Sequence, residues 1–226
     1  MGSDDIFKKR RADREKRRHD FKQPKANSFL IVTEGEKTEP LYLNGLKDLI
    51  LDKIGGNIKV IELPHIEIKG EGKSTGKLIE KTNEIISKSS IIYQNVWIVF
   101  DKDDFLDFDQ AIKSAKDQGY NVAWSNQCFE YWIYLHFHYS DAALHRYDWN
   151  SKLDELFKQY NLNSGKYDKN LEQHYYMLDS FGGVDTAIKH ARRRMSKFKN
   201  DKGQPSTFDP GTTVFLLVDA LREYLV

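Results

Sequence analysis

Residues 28–35 read SFLIVTEG, and residues 95–101 read NVWIVFD. Each is a continuous apolar run that closes on an acid, Glu34 in one and Asp101 in the other. Runs of this kind read as strands buried on both faces, the habit of a parallel sheet, with a turn where the apolar character stops. The chain between and after them has helical spacing. Pro40 opens a pattern carrying Leu41, Leu46, Leu49, Ile50 and Ile54, with Thr38 or Glu39 placed to cap it and Gly55-Gly56 to end it. Residues 58–69 read as extended, broken at Pro64. Ser74 or Thr75 caps a second helix bearing Leu78, Ile79, Thr82, Ile85 and Ile86. A helix near 109–118 stops at Gly119, and YNVAWS (120–125) reads as the last strand.

That alternation predicts an α/β fold with a mostly parallel sheet flanked by helices and right-handed crossovers. Beyond residue 126 strands largely vanish, and helices are expected over 128–138, 150–160, 170–180, 184–199 and 211–225. Three regions follow: a basic tail (1–26), an α/β core (27–126) and a helical C-terminal half (127–226) packed on that core.

The chain has 226 residues, long enough for a sizeable core. Its net charge of +1 conceals an asymmetry, because residues 1–25 hold ten Lys/Arg against five Asp/Glu. The tail reads either as a solvated helix or as a phosphate-contacting arm whose grip weakens with salt. A single cysteine, Cys128, excludes a disulfide framework and points to the cytoplasm. No run is long and apolar enough for a membrane span, and the N-terminus lacks the apolar segment of a secretory signal.

In parallel sheets, sites form beyond the carboxyl ends of the strands. Glu34, Asp101 and Asp103 fall there. If the backbone stays extended, the two aspartates of Asp-Lys-Asp face the same side. Oxygen ligands of this kind suit magnesium, and Gly35 would allow a tight turn and close approach of a phosphate. The plainer alternative is that these acids are turn or capping residues. Glu130 lies in an apolar helical stretch, CFEYWIYLHF, where a carboxylate is costly unless paired or bound to metal. His136 and His138 lack zinc-site spacing and read as structural. KGEGKSTGKL (69–78) imitates a phosphate-binding loop but has one residue too few between Gly72 and Gly76, and Leu78 where Ser or Thr is required. On the helix over 184–199, Val184, Ile188, Ala191, Met195 and Phe198 mark an apolar stripe. Lys189, Arg192, Arg193 and Lys197 form either a solvated face or a face that tracks phosphates.

The segments VTEGEKTEPLYL and VWIVFDKDDF resemble the Toprim pattern of a strand ending in Glu-Gly and a later strand ending in Asp-x-Asp. More narrowly, the chain resembles the RloB-like family. The motifs lie at Thr33–Pro40, Asp101–Asp103, Cys128–Phe137 and Pro205–Val214, and the likeness covers about residues 27–225. The resemblance implies a Toprim-like domain with nuclease activity, using magnesium or manganese, in anti-phage defence loci and often beside an ATPase partner. Glu34, Asp101 and Asp103 match the Toprim acids. Glu39 resembles the second glutamate of nuclease-type Toprim domains, at a spacing one residue longer than in overcoming-lysogenization-defect nucleases, and is either a metal ligand or a helix cap. Glu130 is a further ligand candidate, and Lys37 or Lys102 would steady a phosphate. A topoisomerase, which needs a tyrosine from a further domain, fits the length less well. The competing expectation is a non-catalytic nucleic-acid-binding or regulatory subunit. Oligomeric state is not legible.

Overall fold

The computed structural model describes residues 8, 11, 23–55, 65–72, 75–104, 106–180 and 183–225. Most of the basic tail, the extended segment expected over 58–64 and the Ser74 cap lie outside them.

The two decisive runs are strands β1 (Gln23–Thr33) and β3 (Ile91–Asp101). With β2 (His65–Gly70), β4 (Asn121–Asn126) and β5 (Gly211–Thr212) they form a five-stranded sheet in the order β2-β1-β3-β4-β5. The first four strands are parallel, and only β5 is antiparallel. Strand β1 already runs at Gln23, so it starts inside the stretch expected to be tail. The apolar runs are continuous because both faces are covered. Phe29, Ile31, Trp97 and Val99 enter one hydrophobic cluster, while Leu30, Val32, Ile98 and Phe100 enter the other. This alternation is the period of a strand.

Helices α2 (Thr75–Lys88) and α3 (Phe108–Asp117) cover the second face through Leu78, Phe108 and Ile112. Helix α1 (Thr38–Gly55) covers the first through Tyr42, Leu46 and Ile50. The same cluster takes in Trp132, Trp149 and Leu217 from the C-terminal half, so the helices of that half are packed on the sheet by a shared core.

The C-terminal boundaries differ from expectation for local reasons. Helix α4 (Phe129–Tyr134) is shorter than 128–138 because its last turns tighten to i→i+3 bonds, such as His136 N–H to the Ile133 carbonyl. Helix α5 (Arg146–Gln159) starts four residues before 150. Asp148 reaches back to accept the His145 N–H at 3.2 Å, and histidine is not a residue that announces a helix start. Helices α6 (His174–Ser180) and α7 (Gly183–Ser196) fall close to the expected spans. The segment expected as one helix over 211–225 is split. Gly211-Thr212 adds β5 to the sheet edge before α8 (Val214–Arg222) begins. Two residues are too few to show a strand period.

Candidate active site

The strand order reverses at β1. The connection through α1 leads to β2 on one side, and the next leads to β3 on the other, so the carboxyl ends of β1 and β3 flank the switch point where α/β sheets open a crevice. Glu34 continues β1 there, its N–H bonded to the Val99 carbonyl at 2.8 Å. Its carboxylate crosses to β3 and accepts the Asp101 N–H at 3.2 Å. Asp101 in turn accepts the Phe129 N–H at the start of α4 at 2.8 Å.

A cleft of about 460 Å³ opens at this point, lined among others by Glu34, Glu39, Asp101, Phe129, Glu130 and Lys169. Glu39 belongs to the first turn of α1, which begins two residues before Pro40, and only 7% of it is exposed. Gly35 makes its position possible, because a Cβ there would collide with the Glu39 carboxylate. Gly72 is similarly required. It has φ +57°, lines the cleft, and a side chain would strike Glu36.

Glu130 projects from α4 and is 3% exposed. It accepts a hydrogen bond from the Tyr167 hydroxyl at 3.1 Å and pairs with Lys169 Nζ at 2.8 Å. Burial drives the electrostatics of the group. It pushes Glu34 up to about 7, against the Asp101 N–H and with Asp103 and Glu39 adding repulsion. It also pushes Glu39 up to about 7, with Glu130 opposing ionisation and Lys169 favouring it. Asp101 is raised well above the usual carboxylate range by burial and by Glu39 and Glu130. For Lys169, burial pulls downward, but Glu130 outweighs it and the ammonium is held above its ordinary range. Five carboxylates, those of Glu34, Glu36, Glu39, Asp101 and Glu130, thus line one cleft together with two ammoniums, Lys37 and Lys169.

Asp103 does not join them. Its φ is +41°, so the chain turns instead of staying extended, and the premise that would have aligned it with Asp101 is not met. Its carboxylate pairs with Arg146 at 2.9 Å, and Asp104 holds the other guanidinium nitrogen at 3.0 Å. Lys37 lines the cleft and is exposed, whereas Lys102 is half-buried and does not line it. Lys189 on α7 and Lys197 just past its end are exposed. Arg192 is paired with Asp219, and Arg193 lies over the Tyr139 ring at 4.1 Å. Arg192 shares a groove with Leu49 and Lys53, ~15 Å or more along α1 from the carboxylates at its first turn. His136 is a core residue. Its Nδ1 donates to the Trp132 carbonyl at 3.0 Å, which leaves Nε2 to accept from the Tyr42 hydroxyl at 3.0 Å.

Lys169, Tyr167 and Arg146 are the residues that sequence reasoning missed. None stands in a motif or on an apolar stripe.

Among the described residues, no three His, Cys, Asp or Glu side chains converge closely enough to hold a metal ion as they are placed. Glu34, Asp101 and Glu130 are instead each held by a protein donor. The donor chemistry nevertheless fits a hard divalent cation, which takes carboxylate oxygens and water and needs few protein ligands. Glu34, Glu39, Asp101 and Glu130 could supply those oxygens.

Among the described residues, no helix is long and apolar enough to cross a membrane. Residues 29–221 match the family described as RloB-like protein. No curated protein and no solved structure is similar enough to match.

Proposed function

The chain belongs to the RloB-like family, and from that premise and the chemistry of its cleft we propose that it is a metal-dependent nuclease. The observation that carries the reading is the gathering of Glu34, Glu39, Asp101 and Glu130, from β1, α1, β3 and α4, at the sheet's switch point. Crowding four carboxylates into one cleft, Glu39 and Glu130 buried and Glu34 and Asp101 half-buried, opposes folding unless cations or protons compensate them. A stabilising role does not account for such an arrangement, whereas a cation-binding role does.

Magnesium or manganese held by Glu34, Asp101, Glu39 and Glu130 would supply Lewis acidity toward a phosphodiester and lower the pKa of a bound water. The chain's own residues do the rest. Lys169 offsets the charge of a phosphate entering the cleft, and Lys37 at the rim adds a second cation. Phe129 closes one wall. Asp103, tied to Arg146, holds the loop after β3 and raises the proton affinity of Glu34 through its charge. The substrate is DNA or RNA, and an ATPase partner in anti-phage defence is part of the same proposal. The rival reading, a non-catalytic nucleic-acid-binding or regulatory subunit, is favoured by the Asp103–Arg146 pair, which occupies one of the Toprim acids.

The test is cleavage of labelled DNA, RNA and tRNA with magnesium, manganese or chelator, by the wild type and by Glu34→Gln and Asp101→Asn. Cutting should require metal, and each substitution should lower it by at least about a hundredfold, the size expected of a group that touches the reacting centre. Metal-dependent cutting that survives both substitutions would remove the site assignment. Binding of nucleic acid without cutting, with the partner present, would favour the regulatory reading.

A further inference from the structure

Glu130 is held by two donors of different kinds. Both reach the same oxygen, Oε1: the Tyr167 hydroxyl at 3.1 Å and Lys169 Nζ at 2.8 Å. Tyr167 is a fixed, neutral donor. It is buried, its N–H is bonded to Asp154 at 2.9 Å, and its ring stacks on His174 with centroids 5.5 Å apart. Lys169 is fixed at its backbone instead. Asp168 accepts the Asn170 N–H at 2.9 Å across it, and the Lys169 carbonyl accepts the Thr38 hydroxyl, from the first turn of α1, at 3.4 Å. The side chain above that anchor is 53% exposed, against 4% for Glu130. A four-carbon stem rooted in a held backbone and half in solvent can turn its ammonium without moving the loop. Tyr167 keeps its hold on the carboxylate when the ammonium leaves. A buried carboxylate that loses its cation is strongly unfavourable, so the ammonium can leave only when another cation takes its place.

Glu34, Glu39 and Asp101, which line the same cleft, are the groups that would draw such a cation in. We propose that Lys169 is an exchangeable counter-ion. In the metal-free protein it neutralises Glu130. When Glu130 passes to a divalent cation, Lys169 turns into the open cleft and pairs with a phosphate of the substrate strand. One lysine thus stands in for the metal and then binds the anion. The two roles are coupled, because Lys169 is free to meet a phosphate only once Glu130 has its replacement cation. Arg146 shows the contrast: two acids, Asp103 and Asp104, clasp its guanidinium from both nitrogens, an arrangement that fixes a loop. Lys169 has this role only if the cleft binds a divalent cation, as proposed above.

Manganese binding to the full chain is measured by calorimetry for the wild type, Lys169→Met, Lys169→Gln, Glu130→Gln and the Lys169→Met/Glu130→Gln double variant. Lys169→Met should bind manganese about tenfold more tightly than the wild type, because the ion no longer displaces a charge-assisted hydrogen bond. Lys169→Gln keeps an N–H donor for Glu130 without the charge. It should show part of the gain, and it serves as the test if Lys169→Met does not fold. Glu130→Gln should weaken binding, and adding Lys169→Met to it should bring no gain. With manganese saturating, short phosphorothioate single strands of DNA and RNA, which resist cutting, are then titrated. The strand that the wild type binds should bind Lys169→Met several-fold more weakly. Opposite signs for metal and strand distinguish exchange from a merely structural lysine, whose loss would weaken both. Manganese binding that is unchanged or weaker in the Lys169 variants, a gain that persists in the Glu130→Gln background, or strand binding indifferent to Lys169 would each overturn the proposal. In all three cases manganese still binds and the metal-dependent reading stands. Failure of that reading looks different: manganese binds neither the wild type nor any variant.

Discussion

At the scale of single residues, the cleft places charge where burial disfavours it, and this has measurable signs. Glu39 has an ordinary pKa of 4.5 when the chain is unfolded and about 7 when folded. The folded state therefore holds its proton more tightly. That contribution to stability is complete below 4.5 and is lost as pH rises through 7. Glu39→Gln should accordingly stabilise the metal-free protein at pH 8 by on the order of 1 kcal/mol and do little at pH 4. Urea unfolding at the two pH values in chelator checks this, and an equal shift at both would contradict it. The neighbouring glycine makes a different point. A Cβ at residue 35 would collide with the buried Glu39 carboxylate, so Gly35→Ala should destabilise by about 1–2 kcal/mol. It should also weaken manganese binding several-fold by displacing the carboxylate. A variant that binds manganese like the wild type would show that Glu39 is not a ligand.

At the scale of elements, α1 serves both the cleft and the core. Its first turn presents Glu39, and its middle packs on α6, where Gly45 faces Tyr175. A glycine inside a helix is ordinarily replaced by alanine at a gain of about 1 kcal/mol. Here a Cβ would stand 2.6 Å from Tyr175 Cβ, so overpacking opposes that gain. Gly45→Ala is expected to destabilise by about 1–2 kcal/mol net. Equal or higher stability in thermal unfolding would mean that α6 yields freely. The strands and the helices over the sheet were legible because their apolar spacing repeats. Helix α5 and strand β5 were not. One begins with a cap built on histidine, and the other has two residues and owes its existence to the edge of β4.

At the scale of the whole molecule, two sets of buried groups titrate in opposite senses. Burial lowers His136 to about 3 and His174 to about 4, from 6.5. Their contribution is present above 6.5 and is lost as pH falls toward those values, because the unfolded chain takes up the protons first. Glu34 and Glu39 act in reverse between 4.5 and 7. Asp101, also raised by burial, acts with the glutamates, so over the shared range the carboxyl groups at least offset the histidines and the wild type should not lose stability from pH 6.5 to 5. The Glu34→Gln/Glu39→Gln/Asp101→Asn triple variant removes that opposition and leaves the histidines. It should lose stability on acidification, with a slope approaching about 1.4 kcal/mol per pH unit for each histidine. A flat profile in the triple variant would show that the histidines are not held neutral by the fold.

Much of the site could be read before the fold was known. Glu34 and Asp101 close apolar runs, and a run that ends on an acid marks the end of a buried strand wherever the strand lies. The sequence by itself determined the α/β class, the parallel core and the two acids at its carboxyl ends, because periodicity and its interruption are local properties. Only the tertiary structure decided which acids meet. Asp103 turned away because its backbone adopts a positive φ and Arg146 captures it. Glu39 and Glu130 turned inward with Lys169, which pairs with Glu130 from a segment 39 residues further along the chain. Contacts across such separations leave no spacing in the sequence. They arise when helices packed on one face of the sheet bring their ends to the same switch point.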